Sequence, residues 1–281
     1  MSHPLPLRRR SAATTINAAL RRLRRATALS LAAAGIGGVA VVAAEVVAAR
    51  THRYAKPALG LAVRTSVGPA AAPPLRLTLL GDAAALGVGV DRVGDTIGGQ
   101  LADLLAGNPR ESGSRRVELS SVAVAGSRSG DLPTQVSRAL VGIRPDVAVI
   151  LIGAGDATGL RRPAEAAAHL GEAVRRLRGA GVEVVVGSCP DLAACRAFAP
   201  PLRQLIGWHG RRVARAQAVA VHTAGGDVVD LAAETGPVFR ADAGALCFDG
   251  FHPSADGYRI WAHALYPAVA AAAVSVRRSR G

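Results

Sequence analysis

RLTLLGDAAALGVGV, residues 76–90, is the stretch that decides the fold. It is an apolar run that stops at Gly81-Asp82 and continues with small residues, so it predicts a buried strand that enters a tight turn. Apolar residues on both faces of a strand are typical of a parallel sheet that is covered by helices on both sides. Ligands bind such sheets at the carboxyl ends of the strands, which places Asp82 and Ala83 at a candidate site.

This turn offers space and hydrogen-bond donors but no nucleophile. Its small residues leave room for a ligand, and its free backbone N–H groups are suited to an anion or an oxyanion. No Ser, Thr or Cys occurs between Thr78 and Thr96. Chemistry that starts from a nucleophilic side chain in this turn is therefore excluded.

Strand-like and helix-like segments alternate regularly along the rest of the chain. The strand-like runs are Leu75–Leu80, Val117–Val124, Val147–Gly153, Val182–Gly187 and Val219–His222 with Val228–Leu231. The helix-like stretches are Ile97–Ala106, Leu132–Val141, Pro163–Gly179, Pro201–Ala216 and Ala255–Ala273. This order predicts a three-layer α/β fold, with a mostly parallel sheet between two layers of helices.

The composition describes a globular protein whose positive charge is concentrated near the N-terminus. The chain has 281 residues, half of them hydrophobic, and a formal net charge of +14. This length allows one domain of about 200 residues plus an appendage, and the composition excludes a disordered chain. Residues 1–56 contain ten Arg or Lys residues and one acidic residue, Glu45. Because the body lacks a basic stripe interleaved with aromatic residues, no nucleic-acid partner is expected.

The N-terminal part predicts a membrane segment ahead of the folded domain. A basic segment, residues 1–25, precedes residues 26–49, which are predicted to be a transmembrane anchor or a signal segment. Residues 50–74 are a predicted linker, and residues 75–281 are the predicted domain. The excess of arginine before the apolar run favours a membrane-anchored protein with an extracytoplasmic domain. Secretion after signal cleavage and an ordinary helix on a cytoplasmic protein are the alternatives.

The three cysteines leave their pairing open. Cys189, Cys195 and Cys247 fit neither a metal site nor a disulfide-dense scaffold. Outside the cytoplasm, Cys189 could pair with Cys195 around a short loop, or Cys247 could take part, and three free thiols are an equal alternative. No metal and no cofactor is predicted.

Four signals stand where strands end or where loops return to the sheet. They are Gly81-Asp82-Ala83, Gly126 in Val124-Ala125-Gly126-Ser127, Gly153-Ala154-Gly155-Asp156 and Asp249-Gly250-Phe251-His252-Pro253. The pair Asp249 and His252 is the most specific, because a carboxylate three residues before a histidine can hold the imidazole tautomer and make it a general base. A purely structural Asp–His turn is the alternative.

In this order and on this scaffold, the four signals resemble the conserved blocks of the SGNH hydrolases, also called GDSL-type esterases and lipases. The resemblance covers about Leu75 to Ala273 and implies a flavodoxin-like three-layer fold that hydrolyses esters or transfers acyl groups. It also implies a nucleophilic serine in the first block and a C-terminal Asp-x-x-His. The implied oxyanion hole combines the serine N–H, a glycine N–H of the second block and an asparagine side chain of the third. The surroundings, including Cys189-Pro190-Asp191-Leu192, are similar to an actinobacterial branch with membrane-anchored members.

Two of the four namesake residues are replaced in this chain. Asp249, His252 and Gly126 match the family pattern, but the serine position is Ala83 and the asparagine position is Gly155. Loss of the nucleophile costs about 10⁶ in turnover, and loss of one oxyanion donor costs about 10²–10³. The resemblance therefore implies a site from which serine catalysis has been removed.

The sequence thus predicts an SGNH-type, esterase-like protein of the cell envelope, catalytically degenerate, whose cleft binds a small-molecule, lipid or glycan ester. The alternative is an active ester hydrolase in which Asp249 and His252 activate a water, or in which Ser127 or Ser129 is a relocated nucleophile. A purely structural anchor domain is the third hypothesis. Asp156 is expected to brace its loop. Neither the substrate nor the oligomeric state can be inferred from these residues.

Overall fold

The computed structural model describes residues 38–59, 63–107 and 115–280. The chain divides into two compact units, the first ending at Thr51 and the second beginning at His52. In the first unit, residues 38–51 are helical (α1). The predicted basic segment and the first half of the predicted membrane segment, residues 26–37, lie outside the described residues. Among the helices of the described part, none is both long enough and apolar enough for a membrane crossing.

The second unit, called the domain below, is built on one six-stranded sheet with the order β1-β3-β2-β4-β5-β6. The strands are β1 (Arg64–Val67), β2 (Pro74–Gly81), β3 (Arg116–Ser121), β4 (Val147–Leu151), β5 (Glu183–Gly187) and β6 (Asp227–Val229). All neighbours are parallel except β1, which pairs antiparallel with β3. Because β2 lies between β3 and β4, the strand order reverses there, and a ligand crevice is expected at the carboxyl ends of β2 and β4.

Helices cover both faces of the sheet. They are α2 (Ala83–Leu86), α3 (Ile97–Ala106), α4 (Leu132–Leu140), α5 (Ala154–Thr158), α6 (Pro163–Gly179), α7 (Leu202–Thr223), α8 (Leu231–Ala241) and α9 (Ala255–Arg280). Residues of α3, α8 and α9 share one core with Leu77 and Leu79 of β2, and residues of α4, α6 and α7 share the other with Leu80 and Ile150. The predicted three-layer α/β fold is confirmed, and its sheet is mixed through one antiparallel edge strand.

Local sequence signals account for the elements around the crevice. All five residues of β4, VAVIL, are buried, and full burial of each Val, Ile or Leu side chain contributes about 1.5–3 kcal/mol. Helix α6 begins with Pro163 and has Glu165 in its first turn, and Arg176 and Arg178 lie in its last turn. These charges complement the helix dipole, so both ends of α6 are as the sequence predicts.

The first strand lies within the stretch that was predicted to be a linker. β1 pairs Arg64 with Ser120 and Val67 with Val117, and the compact unit already begins at His52. Its residues alternate between exposed and half-buried, as expected of a short edge strand. Four such residues between Gly- and Pro-rich segments give no recognisable strand pattern, which is why the sequence places the start of the domain later.

The run Val219–His222 is not a strand, contrary to the sequence prediction. It forms the last turn of α7, which continues to Thr223. Val213, Gln217 and Val221 are all buried, and their spacing of four residues is that of a helix face. The β-branched residues of this run therefore follow the periodicity of α7, and only the short β6 completes the sheet.

Candidate active site

The turn after β2 presents Ala83 as the first residue of α2. Oδ1 of Asp82 caps this helix by accepting a hydrogen bond from the N–H of Ala84 at 3.0 Å. A residue in the first helical position has no acceptor for its N–H within the helix. The N–H of Ala83 also donates to no other residue that the structure describes. Position 83 therefore carries a half-buried methyl group and a free backbone donor.

Buried polar side chains tie together the loops that follow β2, β3 and β4. Gln135 on α4 accepts from the N–H of Gly81 at 2.7 Å, and its amide group donates to the carbonyl of Gly81 at 2.9 Å and to Oγ of Ser127 at 3.1 Å. Asp156 on α5 accepts from N and Oγ of Ser129 at 3.0 and 2.8 Å. Asp156 therefore braces the second loop against the third, in the role expected from the sequence.

Gly126 supplies a second free backbone donor. It lies on the loop after β3 with a φ of +83°, which favours glycine. A Cβ at this position would meet no atom within 4 Å, and its N–H donates to no described residue. Ala83 and Gly126 thus follow two neighbouring strands, and each has a backbone N–H without a partner among the described residues.

The third loop has no space for the asparagine that the resemblance implies. A Cβ at Gly155 would lie 2.9 Å from the carbonyl oxygen of Ser127 and 3.4 Å from Cγ of Arg128. One turn later, a Cβ at Gly159 would lie 3.1 Å from Nη2 of Arg128. The Arg128 side chain therefore lies along the glycine face of α5. This packing leaves little room for any side chain at position 155.

The loop between α8 and α9 holds the predicted acid–base pair. Nδ1 of His252 lies 2.6 Å from Oδ2 of Asp249, and the backbone N–H of His252 donates to Oδ1 at 2.9 Å. The side chain of Asp249 is fully buried, whereas that of His252 is 11% exposed. Because Asp249 accepts the proton on Nδ1, Nε2 is left as the basic nitrogen.

Further donors surround the Asp249 carboxylate. The N–H of Phe251 donates to Oδ1 at 2.8 Å, the thiol of Cys247 donates to Oδ1 at 3.1 Å, and the N–H of Ala55 donates to Oδ2 at 2.8 Å. Burial raises the pKa of Asp249, but the hydrogen bonds from His252 and from these backbone N–H groups together outweigh it and hold the pKa well below its usual range. The carboxylate is therefore ionised at neutral pH.

The part of the chain that the structure describes pairs no nucleophile with the base. Within the described part of the chain, no hydroxyl or thiol is hydrogen-bonded to Nε2 of His252. The hydroxyls of Ser127 and Ser129, the two candidates for a relocated nucleophile, are buried and engaged in the loop contacts given above. Burial raises the pKa of the Cys247 thiol to about 11, so it is not a thiolate at neutral pH.

Contacts between the first turn and the C-terminal loop bring the two parts of the site together. The hydroxyl of Tyr258, on α9, donates to the carbonyl of Val88 at 2.6 Å. A Cβ at Gly89 would lie 2.5 Å from the carbonyl oxygen of Pro253, so only a glycine fits there. The loop that carries Asp249 and His252 is thereby held against the turn that carries Asp82 and Ala83.

A protein-family model describes most of this domain. The model of the GDSL-like lipase/acylhydrolase family matches residues 79–260, which is more than half of the chain. The chain belongs to this family. A GDSL-like esterase of Mycobacterium tuberculosis is 41% identical over 198 residues, which make up 69% of this chain and 62% of that protein. The chain thus matches less than two thirds of the length of this relative.

Solved structures of GDSL-type proteins share the fold. A member of the lipolytic G-D-S-L family from Veillonella parvula has a TM-score of 0.55 at 14% identity, and the match covers 69% of this chain and 97% of that one. Axe2, an acetylxylan esterase from Geobacillus stearothermophilus, has a TM-score of 0.53 at 20% identity, with 72% and 95% covered. At these identities the similarity concerns the fold alone.

Three contributors to this GDSL-family site escape the sequence reasoning: Gln135, Arg128 and Ala55. Gln135 has a usable signal, because it lies on the buried face of α4 beside Leu132 and Val136, and a polar residue on an apolar face needs a partner. Arg128 and Ala55 have no such signal, since each acts through a contact that only the folded chain creates.

The cysteines take no part in a disulfide. Cys189, Cys195 and Cys247 are free, so neither pairing that the sequence allows is formed. Over residues 38–59, 63–107 and 115–280, no group of three or more His, Cys, Asp or Glu side chains is arranged to hold a metal ion.

Asp82, the residue before position 83, has a carboxyl group with a strongly raised pKa. Burial raises its pKa to about 6, although the hydrogen bond from Ala84 and the charge of His252 act in the opposite direction. Between about pH 4 and pH 6 the unfolded chain has lost this proton while the folded chain still binds it. Stability therefore falls as the pH rises through this window, by about 3 kcal/mol in total, and this cost is fully present above pH 6.

Replacing Asp82 by asparagine is expected to remove this cost. Asn caps a helix about as well as Asp, so D82N should unfold with a free energy about 3 kcal/mol higher than the native chain at pH 8, with no gain at pH 4. Urea unfolding at both pH values measures this. D242N is the matched control, because Asp242 also caps a helical turn, through the N–H of Gly244, but is exposed. A gain of equal size at both pH values would contradict the assignment.

Proposed function

We propose that this GDSL-family protein is a catalytically degenerate, esterase-like protein of the cell envelope whose cleft binds an acyl or ester group. The observation that carries the proposal is the base without a nucleophile: His252 is held by Asp249, but position 83 has only a methyl group. Gly155, packed against Arg128, has no side-chain amide that could act as a third oxyanion donor. The groups that remain are two backbone N–H donors and an imidazole, which suit a carbonyl or carboxylate oxygen.

The proposed occupant is a small-molecule, lipid or glycan ester. The Mycobacterium tuberculosis relative, 41% identical over 198 residues, is named an esterase, and this name describes an ester substrate. The charge asymmetry around residues 26–49 supports a membrane-anchored chain with the domain outside the cytoplasm, with secretion after cleavage as the alternative.

A second function is favoured by the intact acid–base pair. The 2.6 Å contact between Asp249 and His252 leaves Nε2 able to accept a proton from a water molecule. Slow ester hydrolysis by direct attack of this water needs no serine. It lacks the covalent step and one oxyanion donor, so it is expected to be far slower than turnover by a serine esterase.

Ester turnover distinguishes the two functions. The full-length chain in detergent is assayed with p-nitrophenyl acetate and butyrate, beside its H252A variant. We expect the two proteins to differ by less than tenfold, at rates close to those of buffer. A native rate that exceeds that of H252A by more than tenfold would instead establish ester hydrolysis that depends on His252 and would contradict the degenerate site.

Binding is tested with a methyl alkylphosphonate, a stable anion shaped like the tetrahedral intermediate of ester cleavage. At a hundredfold excess over Kd, binding adds about 2.7 kcal/mol to stability and raises Tm by about 5 °C or more. G126V should abolish the shift. G142V is the matched control, because Gly142 has a φ of +82°, close to the +83° of Gly126, and equally open surroundings. No shift in the native chain would contradict the proposal.

A further inference from the structure

A segment outside the family-matched region reaches the acid–base pair. The family model begins at residue 79, whereas His52, Tyr54 and Ala55 precede it and contact the loop that carries Asp249. The two hydrogen-bonded contacts join residues that are 194 and 197 positions apart in the chain. Residues 52–55 are called the N-terminal strap below.

The strap contacts both the main chain and the side chain of Asp249. The N–H of Ala55 donates to Oδ2 at 2.8 Å, and Nε2 of His52 lies 2.8 Å from the backbone carbonyl oxygen of Asp249, to which it donates. The ring of Tyr54 meets the rings of Phe251 and His252 edge-on, with centroids 5.6 and 6.5 Å away. Three of the four residues of the strap therefore contact the loop that carries Asp249 and His252.

The two oxygens of Asp249 are held differently. Oδ1 accepts three donors from its own loop, namely the N–H groups of Phe251 and His252 and the thiol of Cys247. Oδ2 accepts the imidazole Nδ1–H and only one further donor, the N–H of Ala55. The strap thus supplies the sole backbone donor among the described residues on the oxygen that faces His252.

We propose that the N-terminal strap is a positioning segment of the candidate active site, in which the N–H of Ala55 holds Oδ2 of Asp249 where it fixes the Nδ1 proton of His252. This inference rests on the proposed function, because it concerns the same cleft. On this proposal, the orientation of the His252 ring depends on residues 52–55, which precede β2, the first of the parallel strands.

The experiment measures exchange of the His252 Nδ1 proton with solvent by NMR in the full-length chain in detergent. A55P removes the N–H donor, and we expect the proton to exchange at least tenfold faster than in the native chain. A58P is the matched control, because Ala58 is exposed and its N–H bonds to no described residue. Unchanged exchange in a folded A55P would overturn the proposal.

Two side-chain variants keep the proposal testable if A55P does not fold. H52A removes the bond to the Asp249 carbonyl, and Y54A removes the ring contact. We expect each to speed exchange about threefold, and H52N, which keeps a donor, to restore part of the protection. Native exchange rates in both H52A and Y54A would show that the loop holds its own geometry, which overturns the proposal.

The activity of a serine revertant separates this inference from the proposed function. In an A83S background, A55P should lower kcat at least fivefold and leave KM unchanged, because the strap acts on the base and not on the bound ester. If A83S itself is silent, the explanation of the missing nucleophile fails, while proton exchange in the native background still decides the role of the strap.

Discussion

A single serine at position 83 is expected to raise ester turnover by about 10³–10⁴-fold. Removing the nucleophile of a Ser–His system lowers turnover by a factor of about 10⁶. A83S is not expected to regain all of this factor, because the oxyanion donor still missing at Gly155 lowers turnover by about 10²–10³. The hydroxyl would be placed at the first position of α2, where the backbone N–H is already free. Turnover of p-nitrophenyl butyrate by A83S and by the native full-length chain measures the gain.

The matching control is A83S combined with H252A, which should return to the native rate because the new serine then has no base. A native chain that already turns over at 1 s⁻¹ or faster, a rate typical of enzymes, and that A83S does not improve, would place the nucleophile elsewhere. Adding G155N to A83S is not expected to help. Its Cβ would meet the Ser127 carbonyl at 2.9 Å, so the loop must move before the amide could donate.

Replacing Asp249 by asparagine is expected to have the second largest effect. In an A83S background, D249N should lower kcat by about 10³, because a side-chain amide no longer fixes the proton on Nδ1 of His252. It should also lower the free energy of unfolding by about 3 kcal/mol. The carboxylate accepts donors on both oxygens, and an amide leaves at least one buried N–H facing its own NH₂ group.

The pH dependence identifies the cause of this destabilisation. The pKa of Asp249 is lower in the folded chain than in the unfolded one, so its contribution to stability is fully present well above pH 4 and decreases as the pH falls. Chemical unfolding at pH 7 and pH 3 should therefore show a smaller difference between D249N and the native chain at the lower pH. D256N, at an exposed carboxylate paired with Arg259, should match the native chain at pH 7.

The sequence predicts the sheet well where burial leaves a pattern. β4 is buried at every residue and reads as an uninterrupted apolar run, and α6 has its proline and charges in the expected turns. The same logic is misleading at Val219–His222, because β-branched residues at the end of a long helix look like a strand when read in isolation. β1 is missed because an edge strand of four residues has little apolar surface to bury and so leaves no apolar pattern in the sequence.

The candidate site is predictable to the extent that its chemistry is local. Asp249 and His252 are three residues apart, and their contact follows from that spacing. The packing of Arg128 along Gly155 joins two loops that follow different strands, and the contact of Ala55 with Asp249 spans 194 residues. Such contacts depend on the order of strands in the sheet. A short sequence motif contains no information about that order. Function at this site is therefore constrained by residues that the motifs omit.

The short antiparallel strand β1 has a consequence for how the domain behaves in solution. It pairs with β3, which has β2 on its other side. β1 therefore covers backbone N–H and C=O groups of β3, which would otherwise be an exposed edge strand. Exposed edge strands pair with strands of other molecules, which leads to aggregation. A protein trimmed to Leu75 would lose β1 and expose β3 for such pairing. Residues 64–67 thus protect the edge of β3 from pairing with a strand of another copy of the chain.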